Sequence, residues 1–393
     1  MATNTSTKTK KKNPALAFIE GKVEVRTVLV LVVLILLIAV FTALTGGSFI
    51  TNRNISNLLR QTAIWAIMGL SMCWLIVTMG IDLSAGMVVG FLSCFIAVAQ
   101  VNWHMGTVAS LLLALVVSLL IYAVQGYLVA YIGMAAFIVT LGGQLAFKGG
   151  MLLVTGSSTV APVSAGTQIW GQGYIPASVG YILGIIAVAV VFLTQIRARQ
   201  SKIKNNLPAD PMSKTIAWCV IFSVVIMAID YLMCSYKGIP VPVLLMVILA
   251  LVMNFISTGT TFGRSIYAIG GNIKAAEFAG IKVKRNMFFM YLIHGVMMWV
   301  AGVILVARLN AGSTSSGLNY ELDAIASTVI GGTSFLGGVG RPAGAILGAL
   351  VMCTIDNGLS TMNVDAAWQY VSKGLIIVFA VLLDQVMASR KKG

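Results

Sequence analysis

Seven polar side chains stand at or near the ends of long apolar runs: Gln61, Asp82, Ser84, Thr140, Gln144, Asp323 and Thr333. Hydroxyls and neutral amides in such places can bond a neighbouring helix or the hydroxyls of a polar ligand. A charged group at mid-membrane costs about 2.5–3.5 kcal/mol on insertion scales, so each intramembrane carboxylate needs a reason to be there. The seven are read as a candidate path for a polar solute. For Asp82 and Ser84 a second reading stands beside this one. They follow Met79-Gly80-Ile81, a helix break, and either can cap the helix that begins beyond it.

Enzyme chemistry has no recognisable seat in this chain. The 11 acidic residues are scattered, with no carboxylate pair, metal-ligand constellation or nucleophile triad. No Gly-x-x-x-x-Gly-Lys-Ser/Thr phosphate loop occurs, so the chain carries no ATPase of its own and is expected to bind no metal or cofactor. Cys73, Cys94, Cys219, Cys234 and Cys353 lie in or near apolar runs without a Cys-x-x-Cys spacing, and read as packing residues.

A second constellation lies at Gly270–Lys282, between two long apolar runs yet too polar to cross a membrane. Asn272 can cap a short helix and Gly280 can end it with positive φ. Ala275, Phe278 and Ala279 share an apolar face at i, i+3, i+4, and Lys274 and Glu277 point outward. Such a helix is either an amphipathic connector or a surface offered to a soluble partner.

The elements that position these residues follow from composition. The chain is 59% hydrophobic and 9% charged, against about 25% charged in soluble domains. It is an all-α polytopic membrane protein of about 10–12 transmembrane helices, short and broken ones included. The net charge of +15 does not indicate nucleic acid, because the basic residues fall in loops and tails. Apolar runs of spanning length lie at about 27–45, 62–79, 84–101, 107–130, 136–154, 179–195, 215–235, 242–257, 287–308, 341–358 and 367–387. A shorter run, 322–335, is Gly-rich near its end and is either a crossing or a re-entrant half-helix. The glycine pairs at 142–143, 149–150, 331–332 and 337–338 fit close helix packing and helix breaks.

Charge sets the sidedness. The tail 1–26, the loops at about 196–214 and 258–286, and the tail 388–393 are basic and are expected inside the cell. The membrane body is 27–387, and the uncharged loop 155–178 is external. Both termini lie inside if 322–335 crosses, giving twelve crossings. If it only re-enters, the basic C-terminus lands outside.

Several blocks together resemble one family. Asn57-Leu58-Leu59-Arg60-Gln61-Thr62-Ala63, then Gly80-Ile81-Asp82-Leu83-Ser84, Phe137-Ile138-Val139-Thr140-Leu141-Gly142 and Tyr267-Ala268-Ile269-Gly270-Gly271-Asn272 look like the permease subunits of bacterial ABC importers for monosaccharides. The strongest block runs from Glu321-Leu322-Asp323 through Gly331-Gly332-Thr333 to Gly337-Gly338-Val339-Gly340. The blocks occur in family order over about residues 50–385. Ile355-Asp356-Asn357-Gly358 and Trp368-Gln369-Tyr370 resemble the xylose and multiple-monosaccharide types, and 196–238 is an extra segment.

The resemblance implies a role for 272–281. Family members insert a cytoplasmic helix into a groove of an ATPase subunit, with a pattern that Ala275, Ala276 and Gly280 match. Lys274 stands where an acidic residue is usual, and Glu277 where a basic one often is, so no particular ion pair carries over. The docking set is Asn272, Lys274, Ala275, Ala276, Glu277, Phe278, Ala279 and Gly280. The resemblance further implies ATP use by separate ATPase subunits, two copies or a fused pair. It implies an external sugar-binding protein, a homodimer of this chain, lipid around it, no nucleic acid, and residence in the bacterial inner membrane. The rival readings are a secondary sugar transporter or channel, which would need a mid-membrane ionisable relay, and a membrane-embedded enzyme.

Overall fold

In a bilayer every backbone N–H and C=O must be bonded within the protein, so apolar stretches of this length form helices. The computed structural model describes residues 25–208 and 211–389. Most of the basic tail 1–26 and the last four residues of the tail 388–393 lie outside the described residues.

The first helix, α1 (Val25–Leu44), leads through a short turn into α2 (Asn52–Val77), α3 (Ala85–Val101) and α4 (Thr107–Tyr127), which a π turn extends to Ile132. Next come α5 (Ala136–Thr155), the short α6 (Ala165–Gln172), β1 (Tyr174–Ile175), α7 (Ala177–Lys204), α8 (Met212–Cys234), β2 (Ile239–Pro240) and α9 (Val241–Gly259). The chain closes with α10 (Thr261–Gly271), α11 (Ile273–Phe278), α12 (Val283–Leu309), α13 (Tyr320–Ile330), α14 (Gly344–Thr361) and α15 (Ala366–Ser389). Among the described residues, nine helices are long and apolar enough to span a membrane; α3 and α15 supply shorter apolar stretches. The fold is all-α and polytopic, and β1 and β2 form one small antiparallel ladder, Tyr174 opposite Pro240.

Burial separates the centre from the rim. The most apolar stretch of α2 is 89% buried, against 17% for α1 and 11% for α7. α2 packs on α9, α12, α13 and α14. Rim helices turn large apolar side chains outward, as Leu145 and Leu153 of α5 do.

The segment 322–335 resolves into something the hydropathy profile does not show. Its helix, α13, has 11 residues, about 16 Å of rise, half of a 30 Å hydrocarbon core. The other half is a bridge residue, Gly312, followed by a run of turns over 314–319. Residues 310–319 run antiparallel to α3: Gly312 lies against Ala97 and Cys94, the Ser316 carbonyl against Gly90, and Gly317 against Gly86. A Cβ at Gly86 or Gly90 would clash with the carbonyls of Gly317 and Ser316, so only glycine lets this run of turns lie against α3. Gly312 also exchanges two backbone hydrogen bonds with Val160. The turns and α13 together make one composite segment against α3.

Other boundaries differ from the sequence reading. The run 62–79 is the tail of a helix that begins ten residues earlier, at Asn52. α7 continues to Lys204 through the first half of the basic loop 196–214. The loop 155–178 is partly ordered, containing α6 and β1.

Candidate transport path and coupling helix

The end of the molecule opposite β1 and β2 carries α11. Asn272 caps it, its Oδ1 accepting from the Ala275 N–H at 3.0 Å. Gly280, at φ +79°, ends it, and the N–H of Ile281 returns to the Ala276 carbonyl at 3.0 Å. Ala276 is the buried residue, seated on Ile269 and Val283. The other face, Ala275, Phe278 and Ala279, is exposed, Phe278 at 93%. Lys274 and Glu277 are exposed as well. The expected apolar face therefore exists, and the fold turns it away from the body.

Behind α11, α10 meets the core through backbone. A Cβ on Gly270 would lie 2.0 Å from the Val77 carbonyl and 2.9 Å from the Gly338 nitrogen. Tyr267 donates from its hydroxyl to the Gly340 carbonyl at 2.9 Å. Burial holds the Tyr267 phenol above its usual range, so it stays a donor. The glycine-rich loop 331–343 is thus fixed to the element that carries α11.

The break between α2 and α3 is the most densely bonded polar point. Asp82 is fully buried and accepts from the Ser84 N–H at 2.7 Å, the Ser84 hydroxyl at 2.6 Å and the Tyr122 hydroxyl at 2.9 Å. His294 of α12 bridges the site, Nε2 3.0 Å from Asp82 Oδ2 and Nδ1 2.8 Å from Ser71 Oγ. Gln125 donates to Ser84 Oγ at 2.9 Å. Side chains of α4 and α12 and the break itself converge on one carboxylate, and α2 joins through Ser71 on His294.

A second cluster joins α2, α13, α14 and α15. Gln61 donates to Asp356 at 2.6 Å. Lys373 stands 2.7 Å from Asp356 and 3.4 Å from Asp323, with its ammonium 4.8 Å from the centre of the Trp65 ring. Gln144 donates to Glu321 Oε1 at 3.0 Å. The other carboxyl oxygen, Oε2, is buried without a hydrogen-bond partner. Thr140 caps the Ile81 and Ala136 carbonyls at 3.2 Å and 3.0 Å, and Thr333 lies 3.1 Å from Cys73 Sγ.

The seven path residues thus fall into separate groups: Asp82 with Ser84, Gln61 with Asp323, and Gln144, Thr140 and Thr333 each on another partner. Tyr122, His294, Glu321, Asp356 and Lys373 complete these groups and were not in the sequence set. His294 and Glu321 were visible as polar residues in or beside apolar runs. Their partners were not, since Gln61 and Asp356 are 295 residues apart. Among the described residues, no group of three or more His, Cys, Asp or Glu could hold a metal, and all five cysteines are buried and free.

A bundle with a broken central pair, a composite segment and an exposed helix between spans defines a polytopic transport permease. The chain belongs to the family described as branched-chain amino acid transport system, permease component, whose model matches residues 54–381. It is 41% identical to the xylose transport system permease protein XylH of Haemophilus influenzae over 92% of this chain and 96% of that one. It is 42% identical to XylH of Escherichia coli K12 over 89% of each. The ribose import permease protein RbsC of Bacillus subtilis is 32% identical over 89% of this chain and 90% of its own. No solved structure gives a match. The chain is a transport permease rather than an enzyme.

Proposed function

We propose that this chain is the membrane permease of an ATP-driven importer for a monosaccharide, xylose or a related pentose or hexose, in the bacterial cytoplasmic membrane. The observation that carries the reading is α11: a capped helix at the basic end, with Phe278 93% exposed. ATP is hydrolysed by separate ATPase subunits, two copies or a fused pair, that receive this helix. Two copies of the permease form the pathway. A soluble binding protein delivers the sugar from outside, and both termini lie in the cytoplasm. The basic loops support that sidedness. The names of the relatives support the sugar.

The mechanism follows from what α11 touches. ATPase closure displaces α11, which bears on α10 and α12 through Ala276, Ile269 and Val283. α10 presses Val77 and Gly338 through Gly270. α12 carries His294, which holds the α2–α3 break. Rocking of these elements opens the polar path to one side and then the other. Sugar contacts are neutral, from Gln61, Ser84, Thr140, Gln144 and Thr333, with Asp82 and Asp323 fixing their surroundings.

The test is uptake into proteoliposomes. Uptake that requires ATP, the ATPase subunit and an external binding protein, and that survives a protonophore, supports the proposal. Uptake that proceeds without ATP and collapses with the proton gradient replaces it with a secondary transporter.

A further inference from the structure

The end of the molecule that carries α11 holds a cavity of about 420 Å³ between α1 and the glycine loop 331–343. Its volume falls in the range of small-ligand sites, about 300–1,000 Å³. Arg341 is the charged side chain that lines it, and among the described residues no carboxylate does. Thr27 of α1 adds a hydroxyl and Asn254 of α9 an amide. One wall is the backbone of Gly338, Gly340 and Gly344, where the absence of a Cβ lets a ligand approach the peptide groups closely. The lining turns apolar with depth. Val30 and Leu347 lie three residues beyond Thr27 and Gly344, each about 4.5 Å further along its helix.

The place of the cavity decides which ligand fits it. It lies apart from the polar groups around Asp82 and Lys373, beside α1, a rim helix whose apolar stretch is only 17% buried. α1 packs on α14, and the gap opens where both helices end. A cavity at this level meets lipid headgroups on one side and acyl chains below them. A guanidinium suits a phosphate, which it can bind bidentately, and the start of α14 adds the positive end of a helix dipole. The lysine-rich tail that leads into α1 draws anionic lipid to the same face.

We propose that this cavity seats the headgroup phosphate of an anionic phospholipid from the leaflet on the α11 side, with an acyl chain against Val30 and Leu347. Tyr267 of α10 donates to the Gly340 carbonyl in the cavity wall. A lipid bound there therefore joins the rim helix α1 to the loop gripped by the element that carries α11. The site is independent of the importer reading, because lipid binding needs neither ATP nor sugar.

The experiment titrates the full chain in detergent with phosphatidylglycerol and follows the first bound lipid by native mass spectrometry. Wild type is compared with Arg341→Gln, Arg341→Lys, Val30→Phe and Lys202→Gln, the last an exposed cation of α7 at the same end. Glycerol 3-phosphate serves as soluble competitor, and melting temperatures without lipid report folding. The expected result is binding about tenfold or more weaker in Arg341→Gln, the loss of one charge-assisted hydrogen bond. Arg341→Lys recovers part of it. Val30→Phe, which fills the apolar half and leaves every charge in place, also weakens binding, and Lys202→Gln binds as wild type does. Wild-type affinity in both Arg341→Gln and Val30→Phe overturns the proposal. An equal loss in Lys202→Gln overturns it too, because diffuse surface charge then holds the lipid. Displacement of the lipid by glycerol 3-phosphate assigns the cavity to a soluble phosphate ester and overturns the lipid.

Discussion

The backbone N–H of Gly338 donates to the carbonyl of Val77 at 2.9 Å, and Gly270 packs on both. This contact ties the end of α2 to the glycine loop and to the helix that precedes α11. A side chain at Gly270 has nowhere to go, whereas a Cβ at Gly271 meets nothing within 4 Å. Gly270→Val is expected to lower thermal stability, by about 1–3 kcal/mol or more from overpacking, and to abolish uptake. Gly271→Ala is expected to change neither. Melting in detergent and uptake in vesicles read both outcomes.

Asp82 holds the break between α2 and α3 by accepting from Ser84 and Tyr122 and pairing with His294. Single hydrogen bonds between membrane helices average about 0.6 kcal/mol. Here one fully buried carboxylate joins several partners, and removing it leaves the Tyr122 hydroxyl and His294 Nε2 without their acceptor in the interior, where losing one partner of a buried pair costs about 3–5 kcal/mol. The larger figure should govern. Asp82→Ala should therefore reduce folded yield sharply, and Ser84→Ala much less. Fluorescence-detected size exclusion at rising temperature compares the two.

Lys373 stands between Asp356 and Asp323. Lys373→Met leaves two partly or fully buried carboxylates facing each other with no cation. It should destabilise the protein, and Asp356→Asn should restore part of the loss. The expected coupling between the two changes is about 0.5–3 kcal/mol, read as a double-mutant cycle of melting temperatures. Additive effects would mean that the ion pair does not hold α15 to the bundle.

Features governed by local rules were legible in the chain. Asn272 as cap and Gly280 as terminator of α11 follow from side-chain and φ preferences a few residues apart. Apolar runs gave the cores of the long helices. The ends of those helices were less legible. α2 starts at Asn52, and its first turns carry Arg53, Asn57 and Arg60, which a hydropathy window reads as loop. The composite segment was half legible: 322–335 showed as a short apolar run. The turns over 314–319 have no periodic signal, and what makes room for them, Gly86 and Gly90, lies on a distant helix. The polar clusters pair residues hundreds of positions apart, and only the folded bundle brings them together.

The central claim is that α11 couples this permease to an ATPase subunit, and Phe278 tests it most directly. Its side chain is 93% exposed, so Phe278→Ala should leave folding and membrane insertion unchanged. If Phe278 is buried in the ATPase groove, its loss removes roughly 1.5–3 kcal/mol of apolar burial, about a tenfold to hundredfold weaker complex. The measurement is co-purification of the ATPase subunit with wild-type and Phe278→Ala permease, alongside ATP-driven sugar uptake and the melting temperature of each. The account predicts that capture and uptake fall at least tenfold while the melting temperature holds. Wild-type capture and uptake in the variant would contradict it.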